Sequence, residues 1–416
     1  MIICELSLLL CTLNNADKKA FWAVVCLQRL GVMIHCIIGT ELTKLFIINA
    51  LALVFAVAVL MMTEFIRCSC QKHFRRTVFS LAAADALMII AVFIFGSSIG
   101  GTRAWIYVLG VSLQLTEFIK LIYLLFAAVI ISSERQSKQS YLMLTVFLAV
   151  NLIALAALNE FGTAIIILIV YLCTVWLYFP RKPFLISAAA IVLTAGVLIV
   201  IDLAVCGYIA SSKDVPALIT ALYEKVLIKI NTRIQLWVSP AEMSYYSSYQ
   251  LIKAREALTQ GGLFGSELKN PVYIPVMESD FVFPALVLNL GVATGIAAVA
   301  AYVYLLIRFL RRSVAAYRRF DSVCVFAGGS LIVVPSLIMI LGSVCAFPLT
   351  GVPAAFLSAG GTQTTVNTAL AGLALCFSTP NRLSAVLVKR AAEHRQLSRV
   401  RRANERRKNY EKRKPL

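Results

Sequence analysis

Apolar residues along this chain form continuous runs of about 20 residues, separated by short polar or basic segments. A helix needs about 20 consecutive apolar residues to cross a bilayer, whereas a spanning β-strand alternates over about 10. The runs therefore predict an all-α polytopic membrane protein with about ten transmembrane helices. The predicted spans are residues 20–40, 45–65, 77–97, 113–132, 140–158, 162–180, 183–207, 281–308, 322–346 and 363–388.

The composition supports the membrane assignment and limits what the basic charge means. Of 416 residues, 60% are hydrophobic and 14% are charged, and the mean hydropathy is +0.85. Soluble domains are about 45–50% apolar. The net charge of +19 lies in short loops and in the C-terminal tail, where 13 Lys and Arg follow Ser378. Positive charge so placed sets topology and attracts anionic lipid headgroups, so nucleic acid is not an expected partner.

The basic loops predict an orientation as well. They alternate along the chain with loops that carry little charge, and cytoplasmic loops are the ones enriched in Lys and Arg. Both termini are then expected in the cytoplasm, and the large loop 208–280, between spans 7 and 8, is extracytoplasmic. The predicted organisation is an N-terminal segment (1–19), a transmembrane domain (20–388) and a basic cytoplasmic tail (389–416).

The first polar clusters on the predicted outer side are GGTRAWI at 100–106 and QLTEFIK at 114–120. Glu117 and Lys120 are three residues apart, so they share a helix face and can pair. Ionisable residues at membrane depth usually face a polar cavity, although a structural ion pair between helices is the alternative. Arg103 beside Trp105 suits an anionic headgroup, with the indole ring at the interface.

Three further polar clusters complete the predicted outer surface. Glu160 lies in the tight turn LNEFGT at 158–163, as a cavity residue or as a solvated turn acid. The external loop carries Arg233 and Gln250 before a glycine hinge, GGLFG, at 261–265. The segment FPLTGVPAAFLSAGG at 347–361, which contains Ser358, is rich in helix breakers. Such irregular backbone is tolerated at membrane depth only where it is buried in protein or lines a cavity.

Asp280 stands at the start of a span, with Phe281, Phe283 and Pro284 directly behind it. Low-dielectric surroundings raise the pKa of a carboxylate, as a general base near neutral pH requires. Capping of the helix N-terminus is the alternative role. A second acid, Asp85, lies mid-span and is expected to line a polar cavity or to pair with a basic group on another helix.

These clusters, in this order and spacing, resemble the SEDS family of bacterial cell-wall glycosyltransferases, the FtsW, RodA and SpoVE group. The family patterns GA-x-RWI, QPSE-x-x-K, QPDLGT, GGLFG…LPEAHTDFIF and LPxTGxPLPFxSYGG look like segments 100–106, 114–120, 158–163, 261–283 and 347–361. The likeness spans about residues 77–388. Departures are Leu115 for the family proline, Glu160 for an aspartate, Val276 for a glutamate, Glu278 for a histidine and Asn289 for an acid.

The resemblance implies polymerisation of lipid II into glycan strands, in cell division, elongation or sporulation, at the bacterial cytoplasmic membrane. It implies that Asp280 is the catalytic general base, and that Arg103, Lys120 and Arg233 are cations for the leaving diphosphate. A divalent cation, Mg²⁺ or Mn²⁺, is a further candidate, and no metal ligand is assigned. The substrate-binding residues expected from the clusters are Arg103, Trp105, Glu117, Lys120, Glu160, Arg233, Gln250, Glu278 and Ser358, with Glu278 offsetting the carboxylate missing at Val276.

The expected partners are lipid II, a class B penicillin-binding transpeptidase and other divisome or elongasome membrane proteins. Two other functions remain open from the sequence. One is a flippase that moves lipid II across the bilayer, since the same headgroup cavity would serve it. The other is a catalytically weak scaffold that recruits the transpeptidase.

Overall fold

The computed structural model describes residues 17–99, 102–108, 111–133, 137–211, 228–239, 245–266 and 272–378. This part of the chain is a bundle of long helices with one small sheet, which confirms the predicted fold class. The helices are α1 (Lys18–Ile37), α2 (Leu42–Phe95), α3 (Thr116–Ser132), α4 (Ser137–Ala157), α5 (Phe161–Tyr178), α6 (Arg181–Ser211), α7 (Ile228–Val238), α8 (Tyr245–Gln260), α9 (Val282–Ala315), α10 (Arg319–Ser343) and α11 (Gly361–Cys376). The tail 389–416 lies outside the described residues.

Helix α2 is two predicted spans joined without a loop. Its backbone leaves helical geometry at His73 (φ −133°, ψ 52°), inside the predicted basic loop. Ile48, near its start, lies next to Gly361, and Leu60, further along, lies next to Gly372, so the first half runs along α11. The second half ends at the sheet that contacts α11 again. The two halves therefore run in opposite directions on either side of His73.

Within the described residues, six helices are long and apolar enough to cross a membrane, and α2 is one of them. Each of the ten predicted spans coincides with a helix or with one half of α2, with ends shifted by a few residues. Of the last span, residues 363–378 are described, and α11 ends within them at Cys376. Helices α3 and α11 have only 17 and 16 residues. The count of ten crossings stays a prediction.

Two helices form the centre of the bundle. Helix α3 is apolar on every side below its first turn and is buried along almost its whole length, as expected of a helix surrounded by others. Helix α10 packs against α3, α5, α9 and α11. The outer helices instead expose large apolar side chains, such as Leu51, Phe79 and Val192. Such a surface suits a lipid environment.

A three-stranded antiparallel sheet, which the sequence analysis missed, joins α2 to α3. Its strands are β1 (Ser97–Ile99), β2 (Thr102–Val108) and β3 (Val111–Gln114), and Trp105 on β2 pairs with Gln114 on β3. The Gln114 amide N–H donates to the Thr362 hydroxyl at 3.1 Å, which ties the sheet to the start of α11. The sheet thus covers one end of the bundle. We call this end the cavity face, because the cavity described below opens there.

The mid-span acid Asp85 pairs with an amide rather than a cation. Asn151 Nδ2 on α4 donates to Asp85 Oδ2 at 2.9 Å, and both side chains are buried. Of the two expected settings for Asp85, a basic partner is not found among the described residues. The pair connects α2 with α4 in the interior, where an unmade hydrogen bond is costly.

Candidate active site

A cavity of about 530 Å³ lies at the cavity face, where six segments of the chain converge. They are the β2–β3 sheet, the first turn of α3, the turn before α5, helix α7, the turn before α9 and the irregular segment before α11. Polar side chains point into it from every side. Those that line it include Thr102, Gln114, Glu117, Asn159, Glu160, Thr163, Arg233, Ser279, Asp280, Thr350, Thr362 and Gln363, with Trp105 at its wall.

Asp280 is held by a tight turn at 275–281 that precedes α9. The carbonyl of Val276 accepts two backbone hydrogen bonds, from Ser279 N at 3.2 Å and from Phe281 N at 3.3 Å. Closing this turn requires Val276 to adopt a φ of +56°. A β-branched residue rarely adopts this left-handed conformation, so the turn carries backbone strain next to the cavity.

The irregular segment before α11 fixes this turn from the other side. Ser358 Oγ donates to the Ser279 carbonyl at 2.7 Å, and the Ala359 amide donates to the Glu278 carbonyl at 2.8 Å. Ser358 Oγ also accepts the Ala354 amide at 3.0 Å. The two residues before Asp280 are thereby attached to one segment. Ser358 itself does not line the cavity, so its role here is to hold the Asp280 turn.

Arg233 reaches the cavity from α7 and faces Asp280. Its Nη1 donates to the Thr350 carbonyl at 2.8 Å. Burial raises the pKa of Asp280, and the positive charge of Arg233 opposes that rise. Among the described residues, no hydrogen-bond donor contacts the Asp280 carboxylate. This carboxylate is therefore free to accept a proton from a substrate.

Glu160 is buried in the wall of the cavity rather than solvated at a rim. Its carboxylate accepts hydrogen bonds from Gln114 Nε2 at 2.9 Å, from the Thr116 hydroxyl at 3.3 Å and from the Thr163 hydroxyl at 3.4 Å. Burial raises its pKa, against the opposing effect of the Gln114 hydrogen bond. The solvated turn acid is therefore excluded. Glu160 instead joins the sheet, α3 and α5 at one point.

Glu117 and Lys120 form the predicted pair. Lys120 Nζ lies 2.7 Å from Glu117 Oε1, and both side chains are almost fully buried. Glu117 lines the cavity, whereas Lys120 lies behind it. Glu117 Oε2 is buried and has no hydrogen-bond partner among the described residues. A donor on a bound substrate would satisfy this oxygen, since an unpaired buried acceptor costs free energy.

The GGLFG segment at 261–265, predicted as a glycine hinge, forms a clasp on a kinked helix, and its Gly262 and Gly265 adopt the positive φ that glycine permits. Helix α9 breaks at Gly291, which has a φ of +86°. The backbone groups that this break frees are paired by the segment, since Val292 N donates to the Gly262 carbonyl at 2.9 Å and Ala293 N to the Leu263 carbonyl at 3.2 Å. Buried backbone groups need such partners. The clasp anchors α8 to the helix that begins two residues after Asp280.

The structure brings five of the ten predicted site residues to the cavity: Trp105, Glu117, Glu160, Arg233 and Asp280. Lys120 and Ser358 support lining residues from behind. Arg103, Gln250 and Glu278 are exposed outside the lining. Arg103 Nε donates to the Gly96 carbonyl at 2.9 Å. Glu278, which was expected to offset the carboxylate missing at Val276, does not line the cavity.

Sequence reasoning did not single out two amides of the site. Gln114 is bonded to Glu160, and Gln363 Nε2 donates to the Pro353 carbonyl. Gln114 belongs to the QLTEFIK motif, and a polar residue just before an apolar span could have indicated a place in the site. No comparable signal marked Gln363.

The described residues of the cavity form no cluster of metal-ligand side chains. No group of three or more His, Cys, Asp or Glu side chains in metal-binding geometry occurs within the described ranges. One of the cavity carboxylates, Glu117, is already paired with Lys120. The arrangement fits acid–base chemistry, in which a carboxylate in a cavity takes a proton and an arginine binds developing negative charge.

The fold and the cavity thus define a polytopic helical membrane protein with a recessed acid–base site. The FtsW/RodA/SpoVE family, described as cell cycle proteins, matches residues 19–382. The chain belongs to this family, which is the one that the sequence motifs indicated.

Named relatives carry related descriptions. The "probable peptidoglycan glycosyltransferase FtsW" of Mycobacterium tuberculosis is 27% identical over 73% of this chain, and that of Bacillus subtilis is 25% identical over 67% of it. The alignments cover 55% and 68% of those proteins. The chain thus spans little more than half the length of the mycobacterial relative.

Solved structures share the fold at lower identity. The structure of Thermus thermophilus rod shape determining protein RodA has a TM-score of 0.56 at 17% identity, and the match covers 88% of this chain and 97% of RodA. A structure described as "structural coordination of polymerization and crosslinking by a peptidoglycan synthase complex" has a TM-score of 0.62 at 18% identity. That match covers 88% of this chain and 98% of the other.

Proposed function

We propose that this protein is a peptidoglycan glycosyltransferase that polymerises lipid II into glycan strands. The observation that carries the proposal is the Asp280 carboxylate, set in a polar cavity beside Arg233 with no hydrogen bond of its own among the described residues. Membership of the FtsW/RodA/SpoVE family and the names of the relatives supply the substrate class.

Asp280 acts as the general base. It takes the proton from the acceptor sugar hydroxyl, and the resulting oxygen nucleophile attacks the anomeric carbon of the donor chain. The bond from that carbon to the diphosphate oxygen breaks, and undecaprenyl diphosphate leaves with the bonding electrons. The raised pKa of Asp280 makes its carboxylate a stronger base than an exposed one, which favours this proton transfer.

Arg233 is the cation that stabilises the leaving diphosphate. It lines the cavity beside Asp280, whereas Arg103 lies outside it and Lys120 is occupied by Glu117. A fixed guanidinium suits an anion with several oxygens, because it donates two parallel hydrogen bonds. A divalent cation at the diphosphate remains part of the proposal, with ligands from the substrate itself.

The cavity face is the extracytoplasmic side of the bacterial cytoplasmic membrane in this proposal. The opposite face carries the basic residues around Arg67 and Arg318, as the positive-inside rule requires of a cytoplasmic side. Lipid-linked substrate would then enter sideways from the outer leaflet. The partner would be a class B penicillin-binding transpeptidase that cross-links the strands.

Lipid II transport without polymerisation, and a catalytically weak scaffold, remain the alternative functions. Reconstitution of the full chain in liposomes with lipid II and a cognate transpeptidase separates the three. We expect glycan polymer resolved on a gel. Movement of labelled lipid II across the bilayer without polymer would favour transport, and neither activity would favour the scaffold.

A further inference from the structure

A second cavity, of about 740 Å³, lies at the face of the bundle opposite to the proposed active site. Helix α3 connects the two, since Glu117 in its first turn lines the first cavity and Ser132 at its end lines the second. At 1.5 Å per residue these positions are about 22 Å apart. The second cavity therefore cannot be an extension of the first.

Three segments form this second cavity: residues 67–74 of α2, the end of α3 at Ser132 and Ser133, and residues 318–320 at the start of α10. Each segment lies where a long apolar run meets a polar one. The cavity is consequently at the depth of lipid headgroups. Phe74 and Phe320 form an apolar wall of this cavity.

The charged wall consists of Arg67, Arg318 and Arg319. Arg67 is bound to Glu64, with Nε 2.8 Å from Glu64 Oε2. By contrast, the side chains of Arg318 and Arg319 make no hydrogen bond or ion pair within the described part of the chain. Two guanidinium groups thus face a cavity with their donors unused.

Among the described residues, two acids lie near these arginines, Glu64 and Asp321. Asp321 interacts electrostatically with Arg67 and Arg318 but does not line the cavity. The net charge around the cavity is therefore positive, since three arginines face two acids. The N-terminus of α10 adds its partial positive charge, since no side chain caps it. Both terms favour a bound anion.

We infer that this cavity binds a phosphate-bearing anion, whose source is the headgroup of an anionic membrane lipid. Basic pockets between transmembrane helices bind such headgroups, and arginine pairs with phosphate through two parallel hydrogen bonds. A volume of about 740 Å³ is in the range of small-molecule sites, about 300–1,000 Å³, and so admits a headgroup. The apolar wall accommodates the start of the acyl chains.

The test uses the purified full chain in an uncharged detergent, titrated with dioctanoyl phosphatidylglycerol and followed by native mass spectrometry. The informative variant is Arg318→Gln/Arg319→Gln. Its matched control is Arg75→Gln/Arg76→Gln, which removes two charges from helix α2 at residues that line an adjoining surface depression and not this cavity. We expect affinity to fall by about 10- to 30-fold in the first variant, and by no more than about threefold in the second, whose charges lie outside the cavity and act on the headgroup only through screened solvent.

A second variant should raise the affinity for phosphatidylglycerol instead of lowering it. Asp321→Asn removes the repelling carboxylate, so phosphatidylglycerol should bind more tightly than to the unchanged protein. This result does not depend on whether the arginine variant folds well. Equal losses in the two arginine pairs, or no tightening in Asp321→Asn, would overturn the proposal.

Two further titrations identify the ligand class. Dioctanoyl phosphatidylcholine, which has no net charge, should bind weakly, and equal binding of both lipids would contradict an anion site. Inorganic phosphate should displace the lipid only at high concentration. If it displaces the lipid as readily as phosphatidylglycerol itself does, the source is a soluble phosphate and the lipid assignment is wrong.

Discussion

Arg233 Nη2 and Asp280 Oδ2 lie at the same distance, 3.7 Å, from the point that a β-carbon on Gly351 would occupy. Gly351 has a φ of +67°, a conformation that favours glycine. The absence of a side chain here keeps a space open beside the cation and the carboxylate. The geometry of the proposed site therefore depends on a residue that carries no functional group.

Gly351→Ala tests this dependence. The new methyl group would occupy the space beside Asp280, and an alanine at positive φ costs about 1–2 kcal/mol. We expect polymerisation to fall about tenfold or more, since a displacement of about 1 Å can cost up to 100-fold. The control is Gly196→Ala on α6, where nothing lies within 4 Å of the added carbon. An equal effect of the two substitutions on the polymerisation rate would contradict the prediction.

Val276→Asn should stabilise the protein. Asparagine tolerates the left-handed conformation that Val276 adopts, so relief of strain should add about 1 kcal/mol to the free energy of unfolding. Val276→Ile keeps the branched side chain and is the matched control. Thermal unfolding of both variants in the same detergent measures the difference. The strained turn would be refuted if the asparagine and isoleucine variants unfolded at the same temperature.

Ser358→Ala should loosen the turn that carries Asp280. The substitution leaves the buried partners of its hydroxyl without a hydrogen bond, which costs about 1–3 kcal/mol. We expect a larger effect on kcat than on KM, because Ser358 does not line the cavity. Ser343→Ala is the control, since that buried hydroxyl bonds only a carbonyl of its own helix. A change in KM alone would indicate that Ser358 contacts substrate.

The pH profile of polymerisation should report Asp280. The rate should fall as the pH drops through the raised pKa of this residue, because the protonated form cannot act as a base. The Arg233 charge lowers that pKa, so Arg233→Gln should move the acidic limb to higher pH. Arg103→Gln should leave the limb in place. A limb unmoved in Arg233→Gln would show that another group titrates.

Stability should vary with pH in the opposite sense to activity. Because the pKa of Asp280 is raised in the folded state, ionisation destabilises the fold as the pH rises from the ordinary value of about 3.9 through the raised one. Asp280→Asn should therefore raise the unfolding temperature at neutral pH. The gain should disappear below the ordinary pKa, where both states of the unchanged protein are protonated.

The helices were predictable from sequence because lipid imposes one simple rule on them, a continuous apolar run of sufficient length. The same rule placed a boundary between the spans 45–65 and 77–97, where the structure shows a kink at His73 and no loop. The β1–β3 sheet was missed, because a short segment of mixed polar and apolar residues between two spans carries no comparable signal. The resemblance to a known family suggested the catalytic role of Asp280, because residue types alone also allowed a helix cap at this position.

Other features of the site depend on contacts between segments distant in sequence. Ser358 and Ser279, which share a hydrogen bond, are 79 residues apart in the sequence, and no hydrophobic periodicity predicts their contact. The same is true of Glu160, whose burial follows from the sheet and α3 closing over it. Glu278 was expected at the site because it lies two residues from Val276, where the family has a glutamate, but a tight turn sends neighbouring side chains in different directions.

The measurement that tests the central claim most directly is the yield of glycan polymer from Asp280→Asn with saturating lipid II and the cognate transpeptidase. Asparagine keeps the size of the side chain but cannot accept the proton, so we expect a loss of at least about 100-fold. Glu256→Gln, which alters a surface acid paired with Lys253, should retain full yield. Polymer at the unchanged rate from Asp280→Asn would contradict the account.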